Sequence, residues 1–169
     1  MLRIELENDT VIETATQSNI DYVVENYREE DRKENDVFSK DHDSVEMFEQ
    51  CWSISNKGKL IGYCGIMVLP GETILSPRRF ICFMTCENAN RIKVTFVRMS
   101  RAVMRAIVSE THGWVDTFFS APVEQYHGSI IWHERVLKMH RFAESVFNNH
   151  KVIHFFIERK EVLSCQVLQ

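Results

Sequence analysis

The chain has 169 residues, 44% hydrophobic, 11% aromatic and 26% charged, which is the make-up of one folded domain and excludes a disordered polypeptide. Its net charge of −4 is unevenly spread, since residues 1–50 carry 15 acids against 5 bases and the remainder 9 against 15. Halves of opposite sign suit attraction within the fold or between copies, and no specific nucleic-acid binding is expected.

No apolar run approaches the ~18–20 residues of a membrane span. Apolar and acidic residues alternate over 1–9, unlike a signal peptide, and a cytoplasmic location is expected. The cysteines Cys51, Cys64, Cys82, Cys86 and Cys165 are odd in number and lie mostly in apolar runs, as buried thiols of a reducing compartment do. Cys82 and Cys86, four apart on an expected strand, stand roughly 13 Å from each other, too far for a disulfide.

In chain order, an extended stretch over 2–6 leads to a strand over 11–15. Thr16-Gln17-Ser18-Asn19 offers N-cap chemistry for a helix over 20–30, with Ile20, Val23, Val24 and Tyr27 on one stripe. The charged stretch 29–43 reads as a loop and 44–49 as a short helix. Strands over 51–55 and 59–69 flank the hairpin signal Asn56-Lys57-Gly58, and Pro70-Gly71 ends the second. A strand over 79–86, dense in Phe, Ile and Cys, has the composition of a central strand.

The strongest periodicity predicts a helix over 92–110, buried through Ile92, Phe96, Met99, Val103 and Ile107. After Gly113 comes a strand over 114–120 and a loop over 122–128. The stripe Trp132, Val136, Met139, Ala143 and Val146 then predicts a second long helix over 129–146, and a last strand follows over 152–158. No repeat or linker divides the chain, so a single α/β domain over 1–169 is expected, an antiparallel meander followed by helix–strand–helix–strand.

That order resembles the GNAT superfamily of N-acetyltransferases. Within it, three stretches look most like a small internal virion protein of T-seven-like short-tailed phages. They are Lys59-Leu60-Ile61-Gly62-Tyr63-Cys64-Gly65, then Phe83-Met84-Thr85-Cys86-Glu87-Asn88-Ala89-Asn90-Arg91-Ile92, and His133-Glu134-Arg135-Val136-Leu137-Lys138. The resemblance implies a GNAT-like mixed sheet and partners among phage virion or assembly proteins, in the host cytoplasm during assembly or in the virion interior. It also implies an acetyl-coenzyme A site, with the diphosphate at the loop after the fourth strand and the start of the next helix.

The family fingerprint at that loop is an Arg or Gln, two residues, Gly, one residue, then Gly or Ala. Glycine lets phosphate approach bare peptide groups. Here the segment runs Glu87-Asn88-Ala89-Asn90-Arg91-Ile92-Lys93-Val94, and no glycine occurs between Gly71 and Gly113. Val94 is stiff where openness is wanted, and Glu87 is negative beside the expected phosphates. Cys86, Asn88, Asn90, Arg91 and Lys93 are the candidate cofactor contacts, with Arg91 and Lys93 compensating by charge.

The resemblance also implies a tyrosine on the last helix. Aligned on Phe142, its position is Leu137, and the glycine position before the Phe is Arg141. Tyr126 is the available substitute, and Asp116 or Glu87, if raised by burial, the available base. His133-Glu134 opens like a zinc-protease signature, but Leu137 stands at the fifth position and His140 lies two turns on, so no metal site is expected.

Arg98, Arg101 and Arg105 read as the solvated side of the long helix, with no interleaved aromatic residue to stack nucleic-acid bases. Of Phe118-Phe119, Phe147 and Phe155-Phe156, about half face the core by strand alternation, and the others are candidates for self-association. The favoured reading is a non-catalytic GNAT-like protein without a resident cofactor, used for protein–protein contact. The alternative is a divergent acetyl-coenzyme A-dependent N-acetyltransferase acting on a small-molecule or protein amine.

Overall fold

The structure, a computed structural model, describes residues 2–38, 43–68, 78–111, 113 and 115–164, without the side chains of Lys93 and Val94. Contacts divide the chain into two compact units, Met1–Met67 with Cys82–Met99, and Val68–Ile81 with Ser100–Gln169. The strand β5 and the helix α3, described below, each run through a boundary.

The first unit begins with the hairpin β1 (Arg3–Leu6) and β2 (Thr10–Thr14). Asn8 and Asp9 take the left-handed conformation at φ 61° and 57°, which their short polar side chains tolerate best after glycine. Helix α1 (Gln17–Glu25) is capped by Thr16, whose side chain accepts from the Asn19 amide while the Asn19 side chain accepts from the Thr16 amide. That capping box places Ile20 and Val23 fully in the core.

Residues 29–37 are a helix rather than the expected loop: α2 spans Glu29–Val37. Glu29, Glu30 and Asp31 complement the positive end of its dipole, and its buried face carries Asp31 and Asn35, four apart. A helix anchored by buried hydrogen bonds leaves no apolar stripe to read. The expected short helix over 44–49 is a 3₁₀ turn, Val45–Met47. Strands β3 (Gln50–Asn56) and β4 (Lys59–Val68) form the predicted hairpin, with Lys57 and Gly58 at φ 49° and 72°. The expected stop at Pro70-Gly71 lies outside the described residues.

Strand β5 is Arg79–Thr85. Gly62 allows β4 to lie close against it, because a Cβ there would stand 2.4 Å from the Met84 carbonyl oxygen. The four described cysteines are free thiols, as expected. Burial pushes the Cys51 thiol up to about 12 and those of Cys64 and Cys82 well above the usual range, so they stay protonated.

Helix α3 (Lys93–Glu110), which passes into the second unit at Ser100, buries Met99, Val103 and Ile107 as the periodicity predicts, whereas Ile92 and Phe96 of the same predicted stripe are half-buried. Strand β6 is Thr117–Ser120, shorter than the expected 114–120, and Trp114 lies outside the described residues. It runs parallel to β5 through Arg79–Phe118 and Phe80–Phe119, and antiparallel to β8 (His150–Glu158).

The predicted helix over 129–146 is corrected. Helix α4 (His127–Ile131) widens into a π-helical turn, Trp132–Leu137, and stops at Lys138, whose φ is 61°. His140–Phe147 is strand β7, paired antiparallel with β8 across Asn148 and Asn149, at φ 46° and 63°. Helix α5 (Arg159–Ser164) follows β8. The strands pair in the order β1-β2-β3-β4-β5-β6-β8-β7, a mixed eight-stranded sheet.

Candidate functional site

The expected cofactor segment lies in the first unit, where Tyr27 and Cys86 form an isolated antiparallel bridge after β5. Glu87–Ile92 winds into a 3₁₀ segment that leads directly into α3. The Cys86 amide donates to Ile61 O at 3.0 Å, Glu87 to Asn26 O at 2.9 Å and Ala89 to Cys86 O at 2.9 Å. Three amides of this stretch therefore already have protein acceptors.

Two candidate side chains are also engaged. The Cys86 thiol donates to Leu60 O at 3.4 Å, and Asn88 Nδ2 donates to the same carbonyl at 3.0 Å and to the Tyr22 hydroxyl at 3.2 Å. Burial raises the Cys86 pKa, opposed by hydrogen bonds from the Asn88 and Ala89 amides, so the thiol stays protonated. Ala89 is 3% exposed, with its methyl group packed inside. Glu87, Asn90 and Arg91 are exposed. The Lys93 backbone begins α3, and its side chain lies outside the described part.

The main chain here does not offer the glycine cradle of the family fingerprint. The exposed side chains fit an anionic diphosphate better: Arg91 carries a guanidinium fork and Asn90 an amide donor, at the head of an 18-residue helix. No hydrogen bond or ion pair to another described side chain engages either one.

Sequence reasoning missed a polar network in the same unit. The Tyr27 and Tyr63 hydroxyls lie 3.0 Å apart, and Tyr27 donates to Asp43 Oδ1 at 3.1 Å. Asn35 Nδ2 donates to the same oxygen at 3.0 Å. Arg28 grips Asp31 through Nε and Nη2, at 2.7 and 3.1 Å, and the Thr85 hydroxyl donates to Asp31. Burial raises both tyrosine pKa values, so the hydroxyls remain donors at neutral pH. No sequence signal links these residues, because Tyr27 and Tyr63 are 36 apart in the chain.

In the second unit, Ser120 and His133 form a buried pair, Oγ to Nε2 at 2.7 Å. His133 Nδ1 lies 2.7 Å from Ser129 O and must donate to it, so Nε2 accepts from Ser120. The ring stacks on Phe155 at 5.3 Å, and burial lowers its pKa to about 4. Sequence reasoning dismissed His133 as a metal ligand, and no cluster that could hold a metal occurs among the described residues.

The other expected acid–base residues, Asp116 and Tyr126, lie in the second unit. Asp116 is exposed before β6 rather than buried within a strand, and its carbonyl accepts from the Arg159 amide. Tyr126 caps α4 at the far end of the same stretch. Thr117 pairs with Glu158 and Val123 with Val152, six residues along, which separates the two ends by roughly 20 Å. The helix read over 129–146 also ends earlier. The left-handed residue that ends it is Lys138, with buried Met139 next, rather than Arg141-Phe142.

Solved structures with a similar fold include several N-acetyltransferases. Spermidine N-acetyltransferase from Vibrio cholerae, in complex with CoA and spermine, superposes with a TM-score of 0.66 at 8% identity, over 92% of this chain and 99% of that one. An aminoglycoside acetyltransferase, AAC(6')-Ib, in complex with coenzyme A, gives 0.67 at 12% identity, over 89% and 95%. The aminoglycoside N(6')acetyltransferase from Legionella pneumophila gives 0.62 at 9% identity, over 93% and 96%.

The fold is thus that of the GNAT acetyltransferases, as the element order implied. No family model matches the chain, and no curated protein sequence does. Nothing in these comparisons supports the resemblance to a phage internal virion protein. No described helix is long and apolar enough to cross a membrane.

Proposed function

We propose that the chain is an N-acetyltransferase that takes its acetyl group from acetyl-coenzyme A and places it on an amine of a small molecule or protein. The observation that carries this reading is the likeness in fold, over nearly the whole of both chains, to acetyltransferases solved with coenzyme A. When bound, the cofactor supplies an activated acetyl thioester.

The chain's own residues then have distinct tasks. Asn90 and Arg91 bind the anionic end of the cofactor, joined by Lys93 on the sequence reading. The carboxylate of Asp43, held by Tyr27 and Asn35, sets a negative field that favours a cationic amine.

One observation favours a second reading, a GNAT-like scaffold without catalysis used for protein–protein contact. The amides of Cys86, Glu87 and Ala89 are bonded within the protein. The resemblance seen in the sequence would put that contact in a phage particle or its assembly. Thermal unfolding with millimolar acetyl-coenzyme A separates the two readings. Cofactor at 100 times its dissociation constant adds about 2.7 kcal/mol, several degrees for a domain of this size. Release of free thiol with a panel of polyamines and aminoglycosides reports transfer. Absence of both shift and release leaves only the scaffold.

A further inference from the structure

We propose that β7 is the surface on which two copies of this chain associate, pairing edge to edge and antiparallel. Association of this kind is independent of acetyl transfer. Strand β7 ends the sheet order beside β8 alone, so its outer peptide groups meet no further strand among the described residues. All eight of its residues are exposed, Phe142 at 45% and Phe147 at 43%. Edge strands that must stay single are kept short or carry proline or lysine. His140–Phe147 has eight residues and contains neither.

Charge identifies the occupant as a second copy. Arg141 stands opposite Phe155 of β8 and Glu144 opposite Ile153, two positions apart, so the bulge between Arg141 and Ala143 puts both on one face of the sheet. There they pair with each other, and Lys151 also reaches Glu144, at 2.9 Å. With histidine neutral, the strand carries one positive and one negative charge and sums to zero. A strongly acidic or basic partner therefore meets no net field to steer it. A two-fold axis normal to the sheet keeps the face and reverses the order, so each Arg141 comes opposite the other copy's Glu144. Parallel pairing would set like charge against like. Phe142 already packs edge-on against Phe119 and Phe156, at 5.8 and 5.7 Å, so covering it costs little side-chain freedom.

Sedimentation equilibrium of the whole chain between ~5 and ~200 µM tests this. Wild type should pass from monomer to dimer over that range. Arg141→Glu and Glu144→Arg each set like charges opposite one another twice across the axis, and each should weaken association about tenfold. An equimolar mixture of the two variants restores opposite charges across the axis and should dimerise as well as wild type. The double variant, Arg141→Glu with Glu144→Arg, should recover in the same way on its own.

Both side chains are exposed, so at ~1 µM, where monomer dominates, the variants should melt as wild type does, which checks folding. Wild type that stays monomeric throughout the range overturns the proposal. So do single variants that dimerise as tightly as wild type, or a mixture that associates no better than either variant alone, since the copies would then meet elsewhere.

Discussion

Helix α3 and the stretch after α4 carry the same kind of apolar spacing, yet one is a helix and the other turns into a strand. In α3 the stripe is the buried face, with Val103 and Ile107 each 1% exposed. In β7 every residue is exposed, and Val146 is 74% exposed. Apolar residues recurring at helical spacing therefore mean a helix only where that face has something to pack against. Over 140–147 the conformation is decided by pairing with β8, a contact that no local pattern announces.

The comparison breaks most sharply at its two ends. Val103→Asp should unfold the protein, since an unpaired buried charge costs several kcal/mol, and ~4 kcal/mol is a large share of a domain's stability. Val146→Asp, at the equivalent place in the failed stripe, should change stability by less than ~0.5 kcal/mol. Urea unfolding of the two variants reads both, and equal losses would show that β7 is packed like α3.

His133 tests the π-helical turn that separates the two regimes. Its folded pKa, about 4, lies below the unfolded value of 6.5. The unfolded chain binds the proton more readily, so the contribution is intact above pH 6.5 and is lost as pH falls from there to about 4. The loss should reach roughly 3 kcal/mol, at about 1.4 kcal/mol per unit. His133→Gln should flatten that part of the stability–pH curve, and an unchanged curve would mean that the imidazole is not closed off from water.

A smaller effect lies in the β7–β8 turn. Asn149→Val places a β-branched residue at φ 63° and should cost about 1–2 kcal/mol, read as a lowered urea midpoint with unchanged slope. The smallest is Lys138→Gly at the helix end, where φ is 61°, which should raise stability by up to ~1 kcal/mol. A loss instead would mean that the lysine side chain contributes there.

Much of the site was legible only in part. The glycine-free run after Cys86 could be read directly, and with it the difficulty of a main-chain cradle. Which side chains remained available could not, because Asn88 is engaged by Leu60 and Tyr22, 28 and 66 residues away. Asp31 and Asn35 were taken for part of a charged loop, since a helix that buries carboxylate and amide groups has no hydrophobic signature. Asp116 stands just before β6 and not within it, because strand alternation says which residues alternate and not where the strand begins.

By itself the sequence determined the cap at the start of the first helix, the β3–β4 hairpin, the part of the α3 stripe from Met99 onward and the free thiols. These follow from interactions between residues a few positions apart: cap to amide, turn residue to its own backbone, and i to i+4 along a helix. Tertiary structure alone decided that α2 is a helix, that β7 is a strand, that Lys138 ends the π-helical turn, and that Tyr27, Tyr63 and Asp43 meet. Each of those depends on hydrogen bonds or burial between segments far apart in the chain, whose free energy outweighs the weak local preference of either segment.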